Sequence, residues 1–256
     1  MPALRDFWFS PWRAVLVLGV TQILCWGAIY YTPVLMAPLI AQARGWSETF
    51  TMGGFSVGLL IGGFCAPAVG RLIDRHGGHR VMPFGALLGA AGLAGLVYAA
   101  HPAAYLLAWA ALGASMSASL YDPAFATLGR IFGLKARAPI TALTLIAGFA
   151  STVSWPVTYF LIEKTGWRET YLLYAGALAL IAAPLLAFAL PRMRAELTPR
   201  EEAPGAALPV RFVPPKGRIF FLVATAFTAY AFVPSGLSAH MLAMFGRLGI
   251  EPATVV

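Results

Sequence analysis

The sequence predicts an all-α membrane protein, and three observations carry that expectation. Of the 256 residues, 59% are hydrophobic and only 11% charged, against about 25% charged in an ordinary soluble domain. The 18 Lys and Arg residues are separated by charge-free runs at 14–43, 49–70, 81–121, 138–162, 170–191 and 219–246. Each run reaches the roughly 20 residues that a helix needs to cross a bilayer. The runs are continuously apolar instead of alternating over about 10 residues, which excludes the strands of a membrane barrel. A soluble protein of this composition is excluded as well.

The spans follow in chain order. The run from Ala14 to Ala43 far exceeds the apolar core of a cleaved signal peptide and is expected to stay as span one. Span two carries Gly54, Gly58, Gly62 and Ala66 at every fourth position, a small-residue stripe that lets a neighbouring helix come close. The run 81–121 is too long for one helix and is broken by Ala100-His101-Pro102, because proline opens a helix but fits poorly inside one. It yields spans three and four. The runs 138–162, 170–191 and 219–246 supply spans five, six and seven. Cys25 and Cys65 fall inside spans, where a thiol behaves as a small apolar side chain.

Charge sets the orientation. With the amino terminus in the cytoplasm, 14 Lys and Arg residues fall on the inner side, and only Arg44, Lys164, Arg168 and Arg247 fall outside. Basic residues near span ends resist translocation, so this split orients the multi-pass chain with its amino terminus inside; the plasma (cytoplasmic, inner) membrane is the expected location. The net charge of +8 is accounted for by inner loops facing an anionic leaflet. No nucleic-acid partner is needed. Prolines at 198, 204, 209, 214 and 215, interspersed with charges, mark a cytoplasmic linker. The chain thus divides into 1–191 with six spans, a linker at 192–216, and 217–256 with one span. Sliding the last segment back by 204 positions lays Gly249-Ile250-Glu251 over Gly45-Trp46-Ser47, after Pro234 and Pro33 respectively. Span seven therefore looks like a second span one.

The most specific local pattern is Gly70-Arg71-Leu72-Ile73-Asp74-Arg75-His76-Gly77-Gly78-His79-Arg80, expected in a short inner loop between spans two and three. Its glycines suit a tight turn between antiparallel helices. The ordered spacing G-x-L-x-D-R-x-G resembles the loop signature of the major facilitator superfamily, although Gly78 and His79 stand where that family usually has basic residues. The six-span, linker, span-seven layout extends the resemblance over the whole chain. It implies a first six-helix bundle plus the first helix of a second bundle, with the remaining C-terminal helices missing before the end at Val256. It also implies secondary active transport of a small organic solute by alternating access, with ion or proton coupling. The gating motif would comprise Gly70, Asp74, Arg75, Gly77 and Arg80, its Asp and Arg residues holding the bundles together in the outward-facing state.

The span-four arginine of many drug antiporters is replaced by Trp109, four residues before Gly113, and their span-five Gly-Pro motif survives only as Gly148 and Trp155-Pro156. A multidrug antiporter is disfavoured. Tyr121-Asp122-Pro123-Ala124-Phe125 and Gly166-Trp167-Arg168 resemble segments of bacterial members related to monocarboxylate and oxalate/formate carriers.

Asp122 is the sole acidic residue deep within an expected span. An ionisable group there is costly unless it faces a cavity or a partner, which makes it the candidate for proton coupling; capping a broken helix before Pro123 or pairing with Arg130 is the structural alternative. Gln22, Trp26 and Tyr30 fall at four-residue steps on one face of span one. With Tyr31, Ser154, Trp155, Tyr230, Ser235, Ser238 and His240, they could line a central cavity or serve helix packing. His76 and His79 lack a third ligand and read as solvated residues, so neither metal nor cofactor is expected. Phosphate-loop, zinc-protease and serine-elbow motifs do not occur. A non-transporting remnant of a carrier is the second reading. A membrane-embedded enzyme, the third, would need a catalytic cluster around Asp122 or His240 that the sequence does not assemble.

Overall fold

The structure, a computed structural model, describes residues 10–192 and 217–247. Arg5, the linker charges from Arg194 to Lys216, and Gly249-Ile250-Glu251 lie outside the described residues. So do the side chains of Pro234, Ser235, Ser238 and His240. The chain divides into two units, Met1–Ala195 and Glu196–Val256.

The first unit contains six helices long and apolar enough to cross a membrane, among the described residues: Arg13–Arg44, Glu48–His76, Gly78–Tyr98, Pro102–Lys135, Arg137–Thr165 and Trp167–Ala189. They are spans one to six. Their turns carry ordinary stop and start chemistry. Ser47 caps span two by accepting from the Phe50 amide at 3.2 Å, with Glu48 in the first turn. His101 is extended and accepts from the Ala103 amide at 3.3 Å, and Pro102 opens span four. The break expected at this proline is present.

The helices run further than the charge-free runs. Span two continues through Gly70, Asp74 and Arg75 to His76, and span three starts at Gly78. The motif placed in a loop by its charges is therefore almost wholly helical, and the connection is Gly77 alone. A surface helix end tolerates Arg and Asp freely, so charge marks where the membrane stops and not where the helix does. Gly77 has φ of 84°, a conformation open to glycine at little cost. Gly78 is required for a different reason: a Cβ there would strike the Thr127 side chain. Arg130, near the end of span four, closes this corner by donating to the carbonyls of Ile73 and Asp74. It thereby caps the end of span two, in the favoured place for a cation, and is not the partner of Asp122.

Span four packs against spans two and three through small residues. Gly54 lies under Trp109 and Tyr105, Gly58 under Trp109, and Gly62 against the Gly113 carbonyl. The stripe of span two is a packing face, as its spacing implies, and Trp109 is 1% exposed within it. On the other side Gly85 meets Ala118, Gly92 meets Leu112, and the Ser115 hydroxyl donates to the Gly85 carbonyl at 2.7 Å. Large apolar side chains such as Leu60, Phe64, Phe84, Leu107 and Phe188 point outward. Such a surface belongs in a bilayer, where lipid tails solvate it.

Two spans contain π-helical segments. Span one widens into a π-helical segment, Trp26–Tyr31, just before Pro33. Span six has two, Leu178–Ala182 and Leu185–Ala189, flanking Pro184. A proline ring cannot sit over the carbonyl four residues back, and a wider turn relieves that clash. In the second unit the described element is the helix Arg218–Arg247, whose apolar start includes exposed Ile219, Phe220 and Phe221.

The close approach of spans two and four makes a stability prediction. Gly113→Val should place methyl groups on the Gly58 carbonyl and cost about 1–3 kcal/mol. Gly53→Val, where a Cβ meets nothing within 4 Å, should cost far less. Thermal unfolding of the purified variants in detergent, followed by gel filtration, measures both; equal stability of the two variants would contradict the packing described.

Candidate functional site: a hollow at a broken helix

Span four is interrupted halfway. Its first helix ends at Ser119, Leu120 takes an extended conformation (φ −89°, ψ −151°), and a second helix runs Tyr121–Phe132. Pro123 is the cause, since it has no amide proton to return to the carbonyl of Ser119. That carbonyl is nevertheless satisfied. Gln22 of span one reaches across and donates from Nε2 to Ser119 O at 2.7 Å and to Leu120 O at 3.2 Å. Its Oε1 accepts from the indole Nε1 of Trp26 at 3.0 Å. A buried carboxamide with both ends engaged is a strong fixture, because leaving either group unpaired costs about 1–3 kcal/mol.

The break opens a hollow of about 320 Å³ beside it, near the middle of spans one, two and four. Trp26 and Tyr30 form one wall, Leu59, Gly62, Gly63 and Ala66 a second, and Met116, Ser117, Leu120, Tyr121 and Asp122 a third. The rings are grouped, with centroids 4.7 Å apart for Trp26 and Tyr30 and 5.0 Å apart for Trp26 and Tyr121. Tyr121 also stacks on Phe125 at 5.1 Å. Asp122 is exposed to the hollow and lies in the first turn of the helix that starts at Tyr121, where a carboxylate interacts favourably with the helix dipole. It therefore both begins a broken helix and lines a cavity.

The sequence-derived candidates separate into groups. Trp26, Tyr30 and Asp122 come together around the hollow. Gln22 is completely buried behind this wall and fixes it. Ser154 packs at Gly27, and Trp155 is buried beside it on span five, away from the hollow. Tyr230 is exposed on the helix of the second unit. Gly70, Asp74, Arg75, Gly77 and Arg80 cluster at the span two–three corner, at one end of the bundle; the Asp and both Arg side chains are exposed there. The contributions of Leu59, Met116, Ser117 and Tyr121 were not foreseen. A polar break in span four was signalled only by Asp122-Pro123.

The chain matches the Major Facilitator Superfamily over residues 18–255. It is also 31% identical over 205 residues to "Uncharacterized 38 kDa protein in 23S RNA operon" of Thermoproteus tenax, a match covering 79% of this chain and 52% of that protein. The chain thus spans about half the length of this curated relative. These similarities reach the superfamily and not a particular carrier group.

The fixture at the break predicts a loss on mutation. Gln22→Leu leaves the Ser119 carbonyl without a donor and the Trp26 indole without an acceptor, and should lower stability by about 1–3 kcal/mol. Gln22→Glu, which keeps an acceptor for Trp26 but has no donor when ionised, should be no better. Thermal unfolding and the near-ultraviolet signal of the tryptophans check this; wild-type behaviour of Gln22→Leu would remove the role. With the family match running from span one into the helix that begins at Arg218, the chain belongs to the Major Facilitator Superfamily, whose members are membrane transporters and not enzymes.

Proposed function

We propose that this chain works in a secondary active carrier that moves a small organic solute across the cytoplasmic membrane by alternating access, coupled to protons. The observation that carries the reading is the hollow at half depth, opened by a helix break and holding a carboxylate. Carriers of this type bind at the midplane, where discontinuous helices offer groups that a regular helix would consume. The six-helix bundle would rock against a second bundle around that site. Asp74, Arg75 and Arg80, exposed at one end of this bundle, would supply contacts that hold one of the two states.

Asp122 is assigned the coupling role. The titratable groups that share the hollow with it are the phenols of Tyr30 and Tyr121, and no Lys, Arg, His or Glu is among the described lining residues. A carboxylate so placed can take a proton from one side and release it to the other as the hollow changes access. Asp122→Asn keeps size and hydrogen bonding but cannot cycle a proton. In liposomes containing the full-length carrier, that variant should lose the pH dependence of uptake and retain solute exchange when solute is supplied at saturating concentration. In the same assay Asp74→Asn should slow transport by about two- to tenfold, as expected for one lost charged contact, with its pH profile intact. A wild-type pH profile in Asp122→Asn would refute the coupling role, and unchanged rates in Asp74→Asn the gating role.

We infer that the amino terminus lies in the cytoplasm. In the first unit, Arg71, Arg75, Arg80, Arg130, Lys135 and Arg137 belong to one end of the bundle, whereas Arg44, Lys164 and Arg168 belong to the other. In a background without Cys25 and Cys65, an impermeant thiol reagent should label His101→Cys and Thr165→Cys in intact cells and spare His76→Cys. All three positions are exposed. Labelling of His76→Cys alone would invert the orientation.

A further inference from the structure

The hollow holds a single formal charge among its described lining residues, and that charge is negative. Arg130, two turns further along the same helix, does not neutralise it, because its guanidinium is engaged with the carbonyls of Ile73 and Asp74. The other walls are aromatic or aliphatic: Trp26, Tyr30 and Tyr121 gather their rings, and Leu59, Gly62 and Met116 complete the lining. Hydrogen-bonding capacity is already committed in two places. Ser117 donates to the Ala114 carbonyl at 2.8 Å, and the Trp26 N–H donates to Gln22.

These features select among solute classes. A polyhydroxylated solute needs many donors and acceptors, and this wall offers few. An anionic solute would meet the Asp122 carboxylate with no cation among the described lining residues. An organic cation gains from every element present, since its charge pairs with the carboxylate and its alkyl groups rest on ring faces whose quadrupoles attract cations. A volume of about 320 Å³ lies at the small end of ligand pockets. We propose that the solute bound in this hollow is a small organic cation of the alkyl- or arylammonium class, paired with Asp122 and enclosed by Trp26, Tyr30 and Tyr121. This assignment rests on the transport reading above and names its substrate class. It departs from the carboxylate that the resemblance to monocarboxylate carriers would imply.

The test uses the full-length carrier in lipid nanodiscs, with phenyltrimethylammonium, benzyl alcohol and benzoate as cationic, neutral and anionic probes of similar ring size. Isothermal titration calorimetry should show binding of the ammonium probe alone. Asp122→Asn should weaken it by about tenfold or more, Trp26→Leu by several-fold, and Asp122→Glu should recover part of the loss. Gel filtration and thermal unfolding of each variant separate lost binding from lost fold, and Asp122→Glu keeps the charge test valid if the asparagine variant proves unstable. Benzoate or benzyl alcohol binding as tightly as the ammonium overturns the proposal, as does unchanged ammonium binding in Asp122→Asn or no binding of any probe. The transport reading fails separately. Uptake of a neutral or anionic solute that loses its pH dependence in Asp122→Asn would preserve the carrier and its coupling while removing the cation.

Discussion

Pro123 withholds from Ser119 the backbone donor that an unbroken helix would provide, and the hydrocarbon around the bundle offers no water in exchange. Inside a bilayer every such vacancy must be filled by protein. Here it is filled by a side chain 97 positions earlier, the Gln22 carboxamide, and the rest of the site depends on that one bond. It ties span one to span four at the break, fixes the indole of Trp26 through the other end of the same amide, and allows Tyr121 and Asp122 to begin a new helix facing open space. Without the proline, span four would run straight and its carbonyls would bond to its own amides. Without the glutamine, the break would carry an orphaned polar group.

The remaining packing keeps that arrangement rigid. Spans two and four meet where Gly58 faces Gly113 and Trp109 covers Gly54, so backbones approach more closely than larger residues permit. In lipid there is no water to exclude between apolar faces, and tightness of fit takes over the part that hydrophobic burial plays in soluble cores. The consequence is a division of labour within one helix. The first half of span four is a packing element with Trp109 and Tyr105 buried, and the part that begins at Tyr121 is a site element with Asp122 exposed.

Much of this was legible from the sequence, and the boundary between what was and was not follows physical lines. Local signals read correctly: charge-free length gave the six spans of the first unit, His101-Pro102 gave the break between spans three and four, and glycine spacing gave the packing stripe of span two. The helix ends beyond Gly70 were misplaced because charge reports the membrane boundary and not the end of hydrogen bonding. The face Gln22-Trp26-Tyr30 was drawn on a regular helix, but the π segment Trp26–Tyr31 alters the turn, and Gln22 proved to be the support of that face. Such a role is invisible without tertiary structure, since nothing near Gln22 in the chain announces a partner on span four. The same holds for Leu59 and Met116, which are ordinary apolar residues until the fold sets them beside a carboxylate.

The single-residue connection at Gly77 has a mechanical consequence. One residue of backbone reaches only about 3.5 Å, and its neighbour Gly78 is pressed against Thr127 while Arg130 grips the last carbonyls of span two. Spans two and three therefore have no slack between them at this end. A tilt of either must be absorbed by two dihedral angles or transmitted to the other, and the corner is clamped to span four in addition. The three helices amount to a single lever whose fulcrum lies at Gly77 and whose far arm includes the wall of the hollow.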